Sequence, residues 1–180
     1  MIDFYLKLQE KLFSAEAKAK YIDCNVLPPK FIDFYKQQYL SQEGFEVMVM
    51  PSVLMEYDIV YNNLEKEPGT INLTFHLCYE NARATGSLNK AVQAKSLAFL
   101  KFINVTYELL KDLESETVGK LKITSENQNK TDSIIYVHLL TFEGSFTGRN
   151  ISDKDKYDYT EDDGDLESTS GLVKHYDFGD

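Results

Sequence analysis

Residues 70–80 (TINLTFHLCYE) restrict the fold more than any other stretch. Apolar and polar side chains alternate there without a break: Ile71, Leu73, Phe75, Leu77 and Tyr79 fall on one side, Asn72, Thr74, His76, Cys78 and Glu80 on the other. Successive side chains of an extended chain point to opposite faces, so this pattern specifies a β-strand with one face turned to a core. A lone strand cannot bury such a face, so the chain must supply further strands and a covering layer.

Candidates for both lie on either side. Residues 45–57 (FEVMVMPSVLMEY) are nearly continuously apolar, as in a strand covered on both faces, and Pro51 implies a bulge or a strand that starts only after it. The EKEPG stretch at 65–69 is a turn signal before the alternating strand. Residues 119–125 and 133–145 read as a closing hairpin, with Leu121 and Ile123 alternating with lysines and Asn127 to Lys130 supplying the loop. The covering layer is expected from residues 87–113 (SLNKAVQAKSLAFLKFINVTYELLKDL). Leu88, Val92, Phe99, Phe102, Ile103, Thr106, Leu110 and Leu113 form a stripe there, and Ser87 is placed to cap. A helix of about 25 residues at about 1.5 Å rise would cross a small sheet. Residues 2–13 place Ile2, Tyr5, Leu8 and Leu12 at helical spacing and predict a short amphipathic helix. Residues 19–25 (AKYIDCN) read as a short strand ended by Pro28 and Pro29, and 31–44 (FIDFYKQQYLSQEG) as either a helical stripe or an aromatic loop. The fold class expected is α+β: a mainly antiparallel sheet packed against one long helix, plus a short N-terminal helix.

Length and charge place the boundary. A chain of 180 residues suits one domain with a surplus, and the surplus is SDKDKYDYTEDDGD at 152–165, which has almost no aliphatic residue. Residues 1–151 are therefore expected to form the domain and 152–180 an acidic tail. A net charge of −10 argues against a protein that grips nucleic acid through its phosphates. No window approaches the roughly 18 apolar residues of a membrane span, and MIDFYLKLQEKLF lacks the pattern of a signal peptide, so the expected location is the cytosol. The sequons at Asn72, Asn104, Asn129 and Asn150 are then chance matches.

Catalytic signatures are missing from the sequence. His76, His138 and His175 stand in no metal-ligand spacing, and Cys24 and Cys78 read as reduced, packed thiols. The segment DYTEDDGDLE imitates a calcium loop, but setting Gly164 at the sixth position puts Tyr159 first and Ser170 last. There is no G-x-S-x-G and no Gly-rich phosphate loop. His76 and Cys78 share one strand face, an arrangement a thiol enzyme uses, although the usual reason for it is incidental. The expectation is a protein that is not an enzyme, with no catalytic residue, cofactor or metal. The aromatic residues Phe31, Phe34, Tyr35 and Tyr39 are the candidate protein interface, because aromatics bury much area there for little lost freedom. Covering the first helix is the plainer role for them.

The order of these segments resembles the tail-terminator, or tail-completion, proteins of long-tailed bacteriophages. The likeness rests on a short N-terminal helix running into KYIDCN, an aromatic loop, MPSVLMEYDI, the alternating INLTFHLCYE, the helix SLNKAVQAKSLAFLKFINVTYELL and a hairpin ending in VHLLTFEGSF. It covers residues 1–150. The resemblance implies a homo-oligomeric ring of six copies, or of twelve, in the neck of the virion, assembled in the host cytoplasm. Such a ring caps the tail tube, meets the tail-tube and head-connector proteins, and lets DNA through its lumen without specific binding. A different neck ring, an adaptor or stopper, and a small protein-binding adaptor module are the alternatives. The acidic extension goes beyond the family's pattern.

Overall fold

The structure, a computed structural model, describes residues 1–41, 46–61, 68–80, 90, 93–94, 97–129 and 135–147. Its described part is α+β, with a five-stranded sheet in the order β1-β2-β3-β5-β4 and three α-helices. The proposed boundary at 151, the tail, Ser87, Leu88, Val92, His175 and most of the 65–69 turn lie outside the described residues.

The alternating segment forms β3 (Gly69–Tyr79) at the centre of the sheet. It pairs antiparallel with β2 (Ser52–Val60), which begins directly after Pro51. On its other side it pairs antiparallel with β5 (Tyr136–Phe146), whose outer neighbour is antiparallel β4 (Lys122–Gln128). The hairpin expected at 119–145 is therefore present, although Asn127 and Gln128 extend the strand instead of the loop. The register sets Val53 beside Leu77, Met55 and Leu140 on either side of Phe75, and Phe142 beside Leu73. Cross-strand neighbours on one face are the contacts that hold a sheet together, and these seven belong to the main core.

Three sequence-based expectations need correction. Residues 19–25 are not a strand but the end of helix α2 (Ala15–Asp23), which follows α1 (Ile2–Phe13) directly. Ser14 decides this: its hydroxyl accepts from Ala17 N, capping α2, and the Ala, Glu and Lys residues after it favour helix over strand. Ala17 and Tyr21, four apart, then fall on one buried side. Residues 31–34, expected as a helical stripe or an aromatic loop, form β1 (Phe31–Phe34), parallel to β2. The sheet is therefore mixed, since the β1–β2 pair runs parallel where the other three pairs are antiparallel. The one long helix expected over 87–113 is not matched as a single element: α3 (Ala98–Leu110) has 13 residues and follows a turn at Leu97, while Lys90, Gln93 and Ala94 before it are helical and Leu97 N donates to Gln93 O at 2.8 Å. Helix α3 spans about 20 Å, and it buries Phe99, Phe102, Ile103, Val105, Thr106, Leu109 and Leu110.

All three helices contribute to the main core on one face of the sheet. Helix α1 buries Phe4, Leu8 and Leu12, so Leu8 and Leu12 of the predicted stripe face the core, Tyr5 is partly buried and Ile2 is left 80% exposed. Its first turn is tied to the approach to β4, because Thr117 donates to the Asp3 carboxylate from both Oγ1 (2.6 Å) and N (3.0 Å). Burial opposes ionisation of Asp3, but hydrogen bonds from Ser115 and Thr117 outweigh it and hold the carboxyl well below its ordinary range. Helices α2 and α3 meet through a buried polar contact: the Tyr21 hydroxyl lies 2.8 Å from Thr106 Oγ1, which donates to Phe102 O at 2.7 Å. Replacing Thr106 by Val keeps the shape but leaves the buried Tyr21 hydroxyl without this partner. Thr106→Val is expected to lower unfolding free energy by about 1–3 kcal/mol, read from the urea midpoint at unchanged m-value.

Candidate functional site

The opposite, outer face of the sheet is covered at one end only. Leu54, Cys78 and Val137 there pack against Tyr39, Met48 and Met50 from the segment linking β1 to β2. Further along, the same face is open and polar. Glu56, Asp58 and Glu143 stand exposed there, and Thr74 and Thr141 face each other at 3.3 Å between their hydroxyls.

The most connected polar group on this face is His76, which is 4% exposed. Its Nδ1 lies 2.8 Å from the Tyr39 hydroxyl and its Nε2 lies 3.2 Å from Glu56 Oε2. Asn129 Nδ2 donates to the same Tyr39 hydroxyl at 3.0 Å. A carboxylate can only accept, so neutral His76 carries its proton on Nε2 and its Nδ1 accepts from Tyr39. The bonds therefore run in one direction, from Asn129 to Tyr39 to His76, with His76 also donating to Glu56. Burial lowers the His76 pKa from its ordinary value, and Glu56 opposes this without cancelling it. Burial, with Tyr35 close by, pushes the Tyr39 phenol far above its ordinary range, so it stays a proton donor.

A second group of the same composition lies on the helix side. His138 Nε2 is 2.8 Å from Glu126 Oε1, and its Nδ1 is 3.4 Å from the Tyr136 hydroxyl. In both groups the glutamate is diagonal to the histidine on the adjacent strand: His76 is opposite Leu54, two residues from Glu56, and His138 is opposite Gln128, two residues from Glu126. Long side chains reach such diagonal neighbours.

The four residues proposed for an interface separate by strand face. Phe31 packs with the outer cluster, whereas Phe34 packs with the main core. Phe34 stacks on Tyr5 at 4.5 Å between ring centroids and meets Tyr57 edge-on at 6.1 Å. Tyr35 stacks on His76 at 3.9 Å and on Tyr39 at 5.2 Å. Tyr39 is 5% exposed, so its ring serves packing within the molecule. The apolar residues that do face outward are others: Ile2, Leu6 and Phe13 on one side of α1, Ile22 and Leu27 at and after the end of α2, Tyr57 and Val60 on β2, Leu100 on α3, and Leu40, Val47 and Val49 on the outer cover. Ile2, Leu6 and Phe13 recur at helical spacing, which is the signal that could have found them.

Among the described residues, no group of three or more His, Cys, Asp or Glu is arranged to hold a metal ion. No described helix is long and apolar enough to cross a membrane. His76 and Cys78 do share a face, but burial pushes the Cys78 thiol up to about 12, so it is not the thiolate that nucleophilic chemistry uses. No protein-family model matches the chain, and no curated protein matches it.

The two cysteines are expected to differ in reactivity. Cys78 is fully buried and Cys24 only partly. A thiol reagent should modify one cysteine of the native protein quickly, identified as Cys24 by peptide mass, and the second only in denaturant. Rapid native labelling at Cys78 would contradict the burial described.

Proposed function

We propose that this chain is a structural subunit of a ring at the head–tail junction of a tailed bacteriophage, terminating or completing the tail tube and joining it to the neck. The observation that carries this reading is exposed apolar surface on one side of α1, where Ile2, Leu6 and Phe13 stand outward, beside a helical face already buried by Phe4, Leu8 and Leu12. Single exposed apolar residues are ordinary, but a stripe on a helix whose other face is already packed suits a further protein surface. The stack from Tyr5 through Phe34 to Tyr57 extends from that helix across the β1 edge. Of the four aromatics predicted from sequence, Phe34 is the one best placed to contribute.

The two sheet edges support a head-to-tail contact over a self-complementary one. One edge is the short strand β1, where Phe34 N is bonded to the Asp33 carboxylate. The other is β4, exposed along most of its seven residues and carrying Lys122 and Glu126. Unlike surfaces on the two sides of a subunit close a ring when the rotation between copies closes. The exposed acids Glu56, Asp58 and Glu143 on the open outer face suit a lumen through which DNA slides, since like charge keeps it from adhering. Partners in this reading are copies of the chain, the tail-tube protein and the head connector, in a virion assembled in the host cytoplasm.

Leu6 is 57% exposed, so Leu6→Asp should leave the circular dichroism spectrum unchanged. It should weaken each subunit contact by about 2 kcal/mol or more, shifting assemblies of the wild-type chain to monomers in light scattering and native mass spectrometry. A wild-type chain that stays strictly monomeric at high concentration, with and without tail-tube protein, removes the ring. A stable one-to-one complex with another protein and no self-assembly favours an adaptor module using the same surface.

A further inference from the structure

The described cover of the outer sheet face is small. Tyr39, Met48 and Met50 pack on Leu54, Cys78 and Val137, with Phe31, Tyr35, Ile135 and Leu139 around them. Tyr35 N donates to Met55 O at 2.8 Å and buried Gln38 donates to Phe34 O at 2.7 Å, and the fastening that can take up a proton is the His76 group, which joins the cover through Tyr39, β2 through Glu56 and the end of β4 through Asn129. Three structural segments therefore depend on which nitrogen of one imidazole carries a proton.

We propose that the Asn129–Tyr39–His76–Glu56 chain is a proton-operated latch, in which neutral His76 fastens residues 35–41 over the outer face and a proton on its Nδ1 releases them. The argument is one of donors and acceptors. Tyr39 gives its hydroxyl hydrogen to Nδ1 and receives a hydrogen from Asn129. A protonated Nδ1 is itself a donor, so the Tyr39 oxygen must accept from both sides and its own hydrogen loses its partner within the group. A buried hydroxyl stripped of its acceptor weakens the cover it anchors.

The groups facing His76 pull in both directions. On β2, Glu56 attracts an imidazolium, but it is 57% exposed and screened by water. From the cover, the Tyr35 ring at 3.9 Å favours a cation on its face, while the un-ionised Tyr39 hydroxyl opposes protonation of Nδ1. On β3 itself, Cys78 stays a neutral thiol, and across the sheet on β5 the residue in register is Leu139. Asn129 is uncharged. Lys36 and Asp33 in the neighbouring segment are paired with each other at 3.3 Å. Burial is the largest influence and favours neutral His76. The closed cover is thus favoured above the unfastened histidine's value, about 6.5. It loses stability as the pH falls from there toward the lowered value of the fastened state. In that window the opening equilibrium rises by up to about tenfold per pH unit, the limit for one proton.

The test reads the cover directly and does not depend on the ring. Amide hydrogen exchange of 35–41, expressed as protection factors, is followed from pH 7.5 to 4.5 alongside the NMR titration of His76. Protection over 35–41 should fall steeply on acidification while that of β3 changes little, and His76 should titrate below about 6.5. His76→Gln should make the protection of 35–41 independent of pH although His138 remains. Glu56→Gln, a change at an exposed side chain that is safe for folding, should move the His76 midpoint lower. His76 titrating at or above 6.5, a cover insensitive to pH in the wild-type chain, or pH dependence persisting in His76→Gln each overturns the latch.

Discussion

The fold depends on the burial of β3 from both sides, which is a demanding environment for a strand that alternates apolar and polar residues. Its apolar side is satisfied simply: Ile71, Leu73, Phe75 and Leu77 meet the neighbouring strands and the helices in one continuous core. Its polar side is open at Asn72 and Thr74, but His76 and Cys78 are buried beneath the cover. A buried imidazole is tolerated only when both nitrogens find partners, and the chain meets this by placing Glu56 on β2 and Tyr39 on the cover. The position of the cover thus follows from a polar requirement of the central strand as well as from apolar contact.

The two sides of the sheet therefore rest on different physics. On the helix side, stability comes mainly from area, and the buried hydroxyls of Tyr21 and Thr106 satisfy each other inside it. On the outer side the apolar cluster is small, and the stacked rings of Tyr35, Tyr39 and His76 with their hydrogen bonds carry a larger share. Hydrogen-bond direction, unlike apolar area, changes with a single proton. A proton on His76 therefore acts on the outer face, whereas on the helix side the Asp3 carboxyl, held well below its ordinary range by Ser115 and Thr117, loses its contribution only in stronger acid.

Legibility in the sequence followed the physical range of each determinant. Strand β3 was plain because a period of two over eleven residues is a local signal, and β2 was plain because its apolar run starts at a proline. Helix α2 was misread because Tyr21 and Ile22 suggest a strand, whereas Ser14 and the Ala, Glu and Lys residues between them set the local preference. Strand β1 has four residues, too few for a period to show, and its parallel pairing depends on a neighbour 21 positions away, Phe31 beside Ser52. For α3 the apolar stripe was readable but not its starting point. The site was the least legible part: His76 stands in no recognisable spacing because its partners lie 20 and 37 residues away, and only the register of β2 on β3 brings Glu56 to it.

The same register argument limits where contacts with other proteins can form. Alternation along β1 divides the aromatic cluster, sending Phe31 to the outer cluster and Phe34 to the main core. A segment that looks in sequence like one sticky loop therefore presents no single aromatic surface. Tyr35 and Tyr39 are occupied by His76, and Phe34 reaches the exterior only beside Tyr5 and Tyr57. One surface open to another protein is the outward side of α1 with the β1 edge, and a partner arriving there would touch a helix held by Asp3 and Thr117 and by three buried side chains. Such a surface is rigid before it is met, which lowers the ordering cost of association. The outer cover is the opposite case: its apolar underside packs on Leu54, Cys78 and Val137 and is held there in part by the bond between Tyr39 and His76.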